Sequence, residues 1–152
     1  MQDTSDVERC GLGIRGVAMA IDSVVWFVLL FVAVYLIAIP TGQLETTQNG
    51  VDAELEGTAG ALGLALWLAL SIGYHTVSEW RFGATVGKSL VKIRVASEDG
   101  SPATLRAALV RNVARLVDWL PLFYLVGIVA LVVSDGHRRL GDRWADTVVV
   151  RS

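Results

Sequence analysis

A single cysteine, Cys10, among 152 residues rules out an intrachain disulfide and a zinc site built on cysteine pairs. Charge is withheld just as unevenly. Between Val17 and Ile39 the only charged side chain is Asp22, and between Ala59 and Val77 the only one that titrates near neutral pH is His75. Neither run has the polar face at 3.6-residue spacing that a helix of a water-soluble bundle needs. Both are long enough to span a bilayer, for which about 20 apolar residues suffice. Segment 40–58 lacks Lys and Arg altogether, while holding Glu45, Asp52, Glu54 and Glu56. No nucleophile stands in a recognisable relation to a base, so nothing supports an enzyme. The stretch "GATVGKS" at 83–89 has three residues between its glycines, where a phosphate-binding loop has four. It also follows an apolar run instead of a strand, so it is not read as such a loop.

What is present fits a lipid solvent. Hydrophobic residues make up 53% of the chain, and the mean hydropathy of +0.54 is high for one domain of this size. The expected fold is an all-α integral membrane protein with three hydrophobic helical segments, at about 17–39, 59–77 and 113–133, and a short cytoplasmic β element. The third segment carries Arg115, Asp118 and Pro121. It crosses once, bends at Pro121 into a hairpin, or lies partly in the interface with its arginines in water. Residues 1–14 are a polar N-terminal segment, loosely ordered over 1–13, and 15–152 form the transmembrane domain. The first apolar run starts too late and runs too long for a cleavable signal.

Arg81, Lys88, Lys92, Arg94, Arg106 and Arg111 make segment 81–111 basic. By the positive-inside rule that segment is cytoplasmic, the acidic segment 40–58 is external, and the N-terminus lies in the cytoplasm beneath the plasma membrane. Topology and anionic headgroups account for these charges, and no nucleic acid is expected. "LVKIRVAS" alternates like a short strand, "EDGSP" is turn chemistry, and "DTVVVRS" is again β-prone. Pairing of the two strands puts both on one face of the membrane.

"RGVAMAID" at 15–22 and "RNVARLVD" at 111–118 share an Arg-x6-Asp spacing. Seven residues are close to two helical turns, so arginine and aspartate share a face about 10 Å apart. A charge at the centre of a span costs about 2.5–3.5 kcal/mol, which makes a partner necessary. The expected arrangement is reciprocal: Asp22 meets Arg111 or Arg115, and Asp118 meets Arg15 or Arg115. Beside an arginine, Asp22 is a structural lock; without one, a buried carboxyl can trade a proton for a metal cation. His75 and Glu79 lie four apart on one face and read as a hydrogen-bonded pair, since two ligands make no metal site. Ala61, Ala65, Ala69 and Gly73 form a small-residue ridge that lets another helix approach closely.

"RGVAMAID", "TVGKSLVKIRVASEDGSPATLRAALVRN" and "HRRLGDRWADTVVVR" together resemble the RDD family of small membrane proteins, over roughly 15–152. The arginine and the first aspartate that name the family match Arg15 and Asp22. The second aspartate falls on Asp118, in "RLVDWLP", or on Asp142, in "RLGDRWADT". The resemblance implies a transport-related role, with some members similar to cation/proton exchangers, and implies neither cofactor nor enzymatic activity. Three or four short segments can hardly enclose a path alone, so transport requires a homo-oligomer with the ridge 61–73 as an interface. The partners expected are the lipid bilayer, further copies of the chain, and a monovalent cation or proton. The alternative is a membrane accessory or scaffold protein, its Arg and Asp groups structural locks and its strands, 90–97 and 146–151, a docking face.

Overall fold

The computed structural model describes residues 10–119, 142 and 144–152, apart from the side chains of 12 and 117–119. The bend at Pro121, most of the third apolar segment, the side chain of Asp118 and most of the polar N-terminal segment fall outside these residues.

The first apolar run is helix α1, Leu12–Thr41, longer than the expected span at both ends. It takes Pro40 into its last turn and stops at Thr41. Gly42 turns into the left-handed region at φ 69°, Gln43 N–H donates to Ala38 O at 3.0 Å and Gly42 N–H to Ile39 O at 3.4 Å. The last carbonyls are thereby satisfied. The acidic segment that follows is a hairpin, not an open loop: β1, Leu44–Thr47, pairs antiparallel with β2, Gly50–Ala53. Its two-residue turn leads into Gly50 at φ 142°, a conformation open to glycine.

The second run is α2, Gly57–Phe82. A core helix of a water-soluble protein buries most of its apolar stretch, yet the most apolar windows of α1 and α2 are only 11% and 17% buried. Val24, Phe27, Phe31, Ile39, Leu62 and Leu64 all point outward. Among the described residues, two helices are therefore long and apolar enough to cross a membrane, and their most apolar stretches are largely exposed. After α2 come the short helix α3, Val86–Leu90, and the strand β3, Ile93–Ser97. Helix α4, Leu105–Trp119, is followed at the end of the chain by β4, Thr147–Arg151. β3 and β4 do pair, as an antiparallel ribbon with Val95 opposite Val149. The described residues are thus mostly helical with two small strand pairs.

The chain divides into two compact units, Ser23–Gly73 and Met1–Asp22 with Tyr74–Ser152. In the first, Trp26 and Trp67 meet edge to face, 6.0 Å between centroids, and the Trp67 indole donates to Trp26 O at 3.1 Å. In the second, the ribbon supplies Ile93, Val95 and Val149 to a small core with Cys10, Ala18 and Ala103. Both outer edges of the ribbon are occupied: Cys10 N–H donates to Val149 O at 3.0 Å, and Val95 N–H to Gly83 O at 2.7 Å.

Candidate functional site

The unit built from Met1–Asp22 and Tyr74–Ser152 gathers charge that its elements bring from five places. Two turns of α1 carry Arg15 and Asp22, and one face of α2 carries His75 and Glu79. The segment at α3 adds Thr85 and Lys88, α4 adds Arg111, Asn112 and Arg115, and Asp142 arrives from the stretch before β4. Arg15, Asp22, His75, Glu79, Lys88, Arg111, Asn112 and Asp142 are all buried. Charged groups taken from solvent persist only when paired and hydrogen-bonded.

Asp142 is the acceptor for two arginines. Arg15 Nη2 pairs with its Oδ2, and Arg111 Nη1 lies 2.9 Å from its Oδ1. Glu79, fully buried, takes Lys88 on Oε1, while Oε2 lies 3.5 Å from Arg111 Nε and accepts from Asn112 Nδ2 at 3.0 Å. Arg111 therefore bridges the two carboxylates, and its Nη1 also donates to Thr147 Oγ1 at 3.3 Å. The result is a continuous chain, Arg15–Asp142–Arg111–Glu79–Lys88. Arg115 sits apart from it, its Nη1 3.0 Å from Nδ1 and 3.2 Å from Nε2 of His75.

Asp22 has a different environment from the one its spacing suggests. Among the described residues it forms no ion pair with an arginine, which corrects the expected contact with Arg111 or Arg115. Thr85 Oγ1 donates to its Oδ2 at 2.6 Å, and its Oδ1 accepts from the Tyr74 hydroxyl at 3.1 Å and from Gly87 N–H at 2.9 Å. The reason is the start of α3. Thr85 is its N-cap, and Gly87, lacking a side chain, lets the α3 backbone lie against α1. A Cβ at Gly87 would come within 2.1 Å of Ala18 O. These uncharged donors satisfy the carboxylate without burying a second ion. Two carboxylate oxygens offer about four acceptor positions, so three donors leave one open.

A cavity of about 20 Å³ joins these groups, lined by Arg15, Ala18, Met19, Asp22, Lys88, Arg111 and Arg115. That is room for one water. Burial pulls the Lys88 ammonium down to about 7, helped by Arg111 and Arg115 and opposed by Glu79. For Asp142, burial works against the charge, but Arg111 and Arg15 outweigh it and hold the carboxyl below its ordinary value. Among the described residues no three His, Cys, Asp or Glu side chains converge on a point where a metal ion could sit.

Of the residues singled out in the sequence, Arg15, Arg111 and Asp142 come together directly, and Asp22 and Arg115 line the same cavity. Asp118 falls on α4, with its side chain outside the described residues. The ridge belongs to the other unit: Ala61, Ala65 and Ala69 are exposed and Gly73 is half-buried. Sequence reasoning missed Tyr74, Thr85, Gly87 and Asn112, and counted Lys88 only as a topological charge. One signal for α3 was at hand, a threonine placed to cap the turn that contains Lys88.

No curated protein and no solved structure matches the chain. The RDD family model matches residues 9–146, a range that takes in Arg15, Asp22, Glu79, Lys88, Arg111 and Asp142. With nearly its whole length so matched, the chain belongs to the RDD family.

Proposed function

We propose that this protein exchanges a monovalent cation for protons across the plasma membrane, as a homo-oligomer with its N-terminus in the cytoplasm. The observation that carries this reading is the one-water cavity shared by Asp22 and Lys88, an acid with one acceptor position open and a lysine poised to lose its proton near neutrality. With Lys88 protonated, four basic side chains face the cavity and repel a cation. Loss of that proton removes one positive charge, and a monovalent cation replaces it at Asp22 without changing the total. The two events exclude each other, which is the condition for exchange. The exposed ridge Ala61, Ala65 and Ala69 supports an oligomer, because small residues are where membrane helices meet.

A second reading is supported by Arg111, which ties Glu79 and Asp142 together across separate segments of the chain. Here the cluster is a structural lock in a membrane accessory protein. Docking of a partner strand at the middle of the ribbon is disfavoured, since Cys10 and Gly83 already occupy those edges.

The test is flux in proteoliposomes carrying a pH-sensitive dye, pulsed with Na⁺, K⁺ or Li⁺. Exchange predicts cation-driven proton movement that increases as the pH rises through about 7, where Lys88 loses its proton. That movement disappears in an Asp22→Asn variant that inserts and melts like the wild type. Silence with all three ions sinks the exchange reading. Loss of stability in Arg111→Gln, with no flux in the wild type, selects the lock.

A further inference from the structure

Helix α4 is inverted relative to a helix that faces water. Its inward residues include Arg111 and Asn112, both buried, while Leu105, Leu109 and Val113 at successive i, i+4 positions are 46%, 46% and 45% exposed. A surface helix in water places its apolar stripe against the core and its charges outside. Here Arg111 and Arg115 are spent inside, on Glu79, Asp142 and His75, and among the described residues nothing covers the apolar stripe. The same unit exposes further large apolar side chains where the chain leaves α2 and passes through α3: Phe82 is 78% and Leu90 67% exposed. Basic residues accompany them. Arg81, Lys92 and Arg106 are exposed, and the described side chains of α4 include no acid.

We infer that the Leu105–Leu109–Val113 face of α4 lies in the membrane interface, in contact with acyl chains, with Arg106 reaching the phosphates of anionic headgroups. This rests on the chain being a membrane protein but not on its exchanging ions. The pairing of an outward apolar stripe with basic flanks favours an anionic lipid surface as the occupant, because a long basic side chain can cover apolar surface and keep its charge among phosphates. An apolar patch of this kind left in water would be a site of association.

The experiment places a nitroxide at position 109 or 113 (Leu109→Cys or Val113→Cys, each in a Cys10→Ala background) of the full chain in phosphatidylglycerol-containing liposomes. Collision with oxygen, which partitions into lipid, is compared with collision with a water-soluble nickel complex. Labels at 31, on the apolar surface of α1, and at 99, in the exposed turn after β3, set the two limits. The expected result is an oxygen-to-nickel ratio at 109 and 113 close to that at 31 and well above that at 99. A further expectation is that Arg106→Gln, or liposomes of phosphatidylcholine alone, lowers the ratio. A ratio like that at 99 overturns the inference in favour of water. Exclusion of both reagents overturns it in favour of a second copy or another protein. A lipid-like ratio insensitive to Arg106 and to headgroup charge overturns the anionic part. None of these outcomes depends on flux.

Discussion

In the unit Ser23–Gly73, α1 and α2 meet at Trp26 and Trp67, with Ala33 and Ala38 fully buried and Glu45, Asp52, Glu54 and Glu56 left in solvent. In the other unit the same two helices contribute Arg15, Asp22, His75 and Glu79, and every one of these is buried. In the first unit the two helices touch through an aromatic pair; the other is held by a few polar contacts that depend on one another. The units should therefore respond differently to the loss of a single group. Removing one member of a buried ion network strands its partners, which costs about 3–5 kcal/mol. Asp142→Ala, which leaves Arg15 and Arg111 without their shared carboxylate, is expected to lower stability by about that much in thermal unfolding of the lipid-reconstituted protein. Glu45→Ala, on the exposed hairpin, should stay within about 0.5 kcal/mol of the wild type. Equal effects would mean that the network carries no more of the fold than the hairpin does.

A sharper contrast comes from two glycines. At Gly87 an added Cβ would meet Ala18 O at 2.1 Å and Asp22 Cγ at 2.9 Å, both held on α1. Gly87→Ala must therefore push α3 off α1 and weaken the N–H bond to Asp22, a cost of about 1–3 kcal/mol from overpacking alone. At Gly16, also on α1, nothing lies within 4 Å of the added methyl. Gly16→Ala should stabilise, since alanine is favoured over glycine in a helix by about 1 kcal/mol. Melting curves of the two variants should move in opposite directions. A Gly87→Ala protein that melts with the wild type would show that α3 is not seated on Asp22.

The features legible in the sequence were those whose signal is local. Charge-poor runs gave α1 and α2, alternation gave β3, and β-propensity gave β4. The hairpin Leu44–Ala53 was not read, although Asn49-Gly50 is turn chemistry, because exposed acids with little alternation suggested a loop. The site divided along the same line. Arg15, Asp22 and Arg111 stood out as charges in or beside an apolar solvent. Lys88 did not, because a lysine among other basic residues looks like a topological signal until Glu79 is found against it. Asp118 and Asp142 both stood as the family's second aspartate, and which carboxylate meets an arginine depends on long-range folding that spacing does not report. Only the ion pairs at Asp142 show it joined to Arg15 and Arg111.

The smallest effect should come from the apolar unit's most specific contact. Trp67 donates its indole N–H to Trp26 O and sets its ring edge-on to Trp26 at 90°. Trp67→Phe removes the donor and keeps an aromatic ring in the same place. The Trp26 carbonyl keeps its place in the α1 backbone, so the loss is that of one ordinary hydrogen bond, about 0.5–1.5 kcal/mol. The ring contact that phenylalanine retains offsets part of even this. Unfolding of Trp67→Phe under the conditions used for Asp142→Ala should thus give the smaller of the two shifts by a clear margin. Flux in proteoliposomes should be unchanged, because neither tryptophan lines the Asp22 cavity. A loss as large as that from Asp142→Ala would mean that the apolar unit also depends on single contacts, and that the distinction between the two units lies in their chemistry alone.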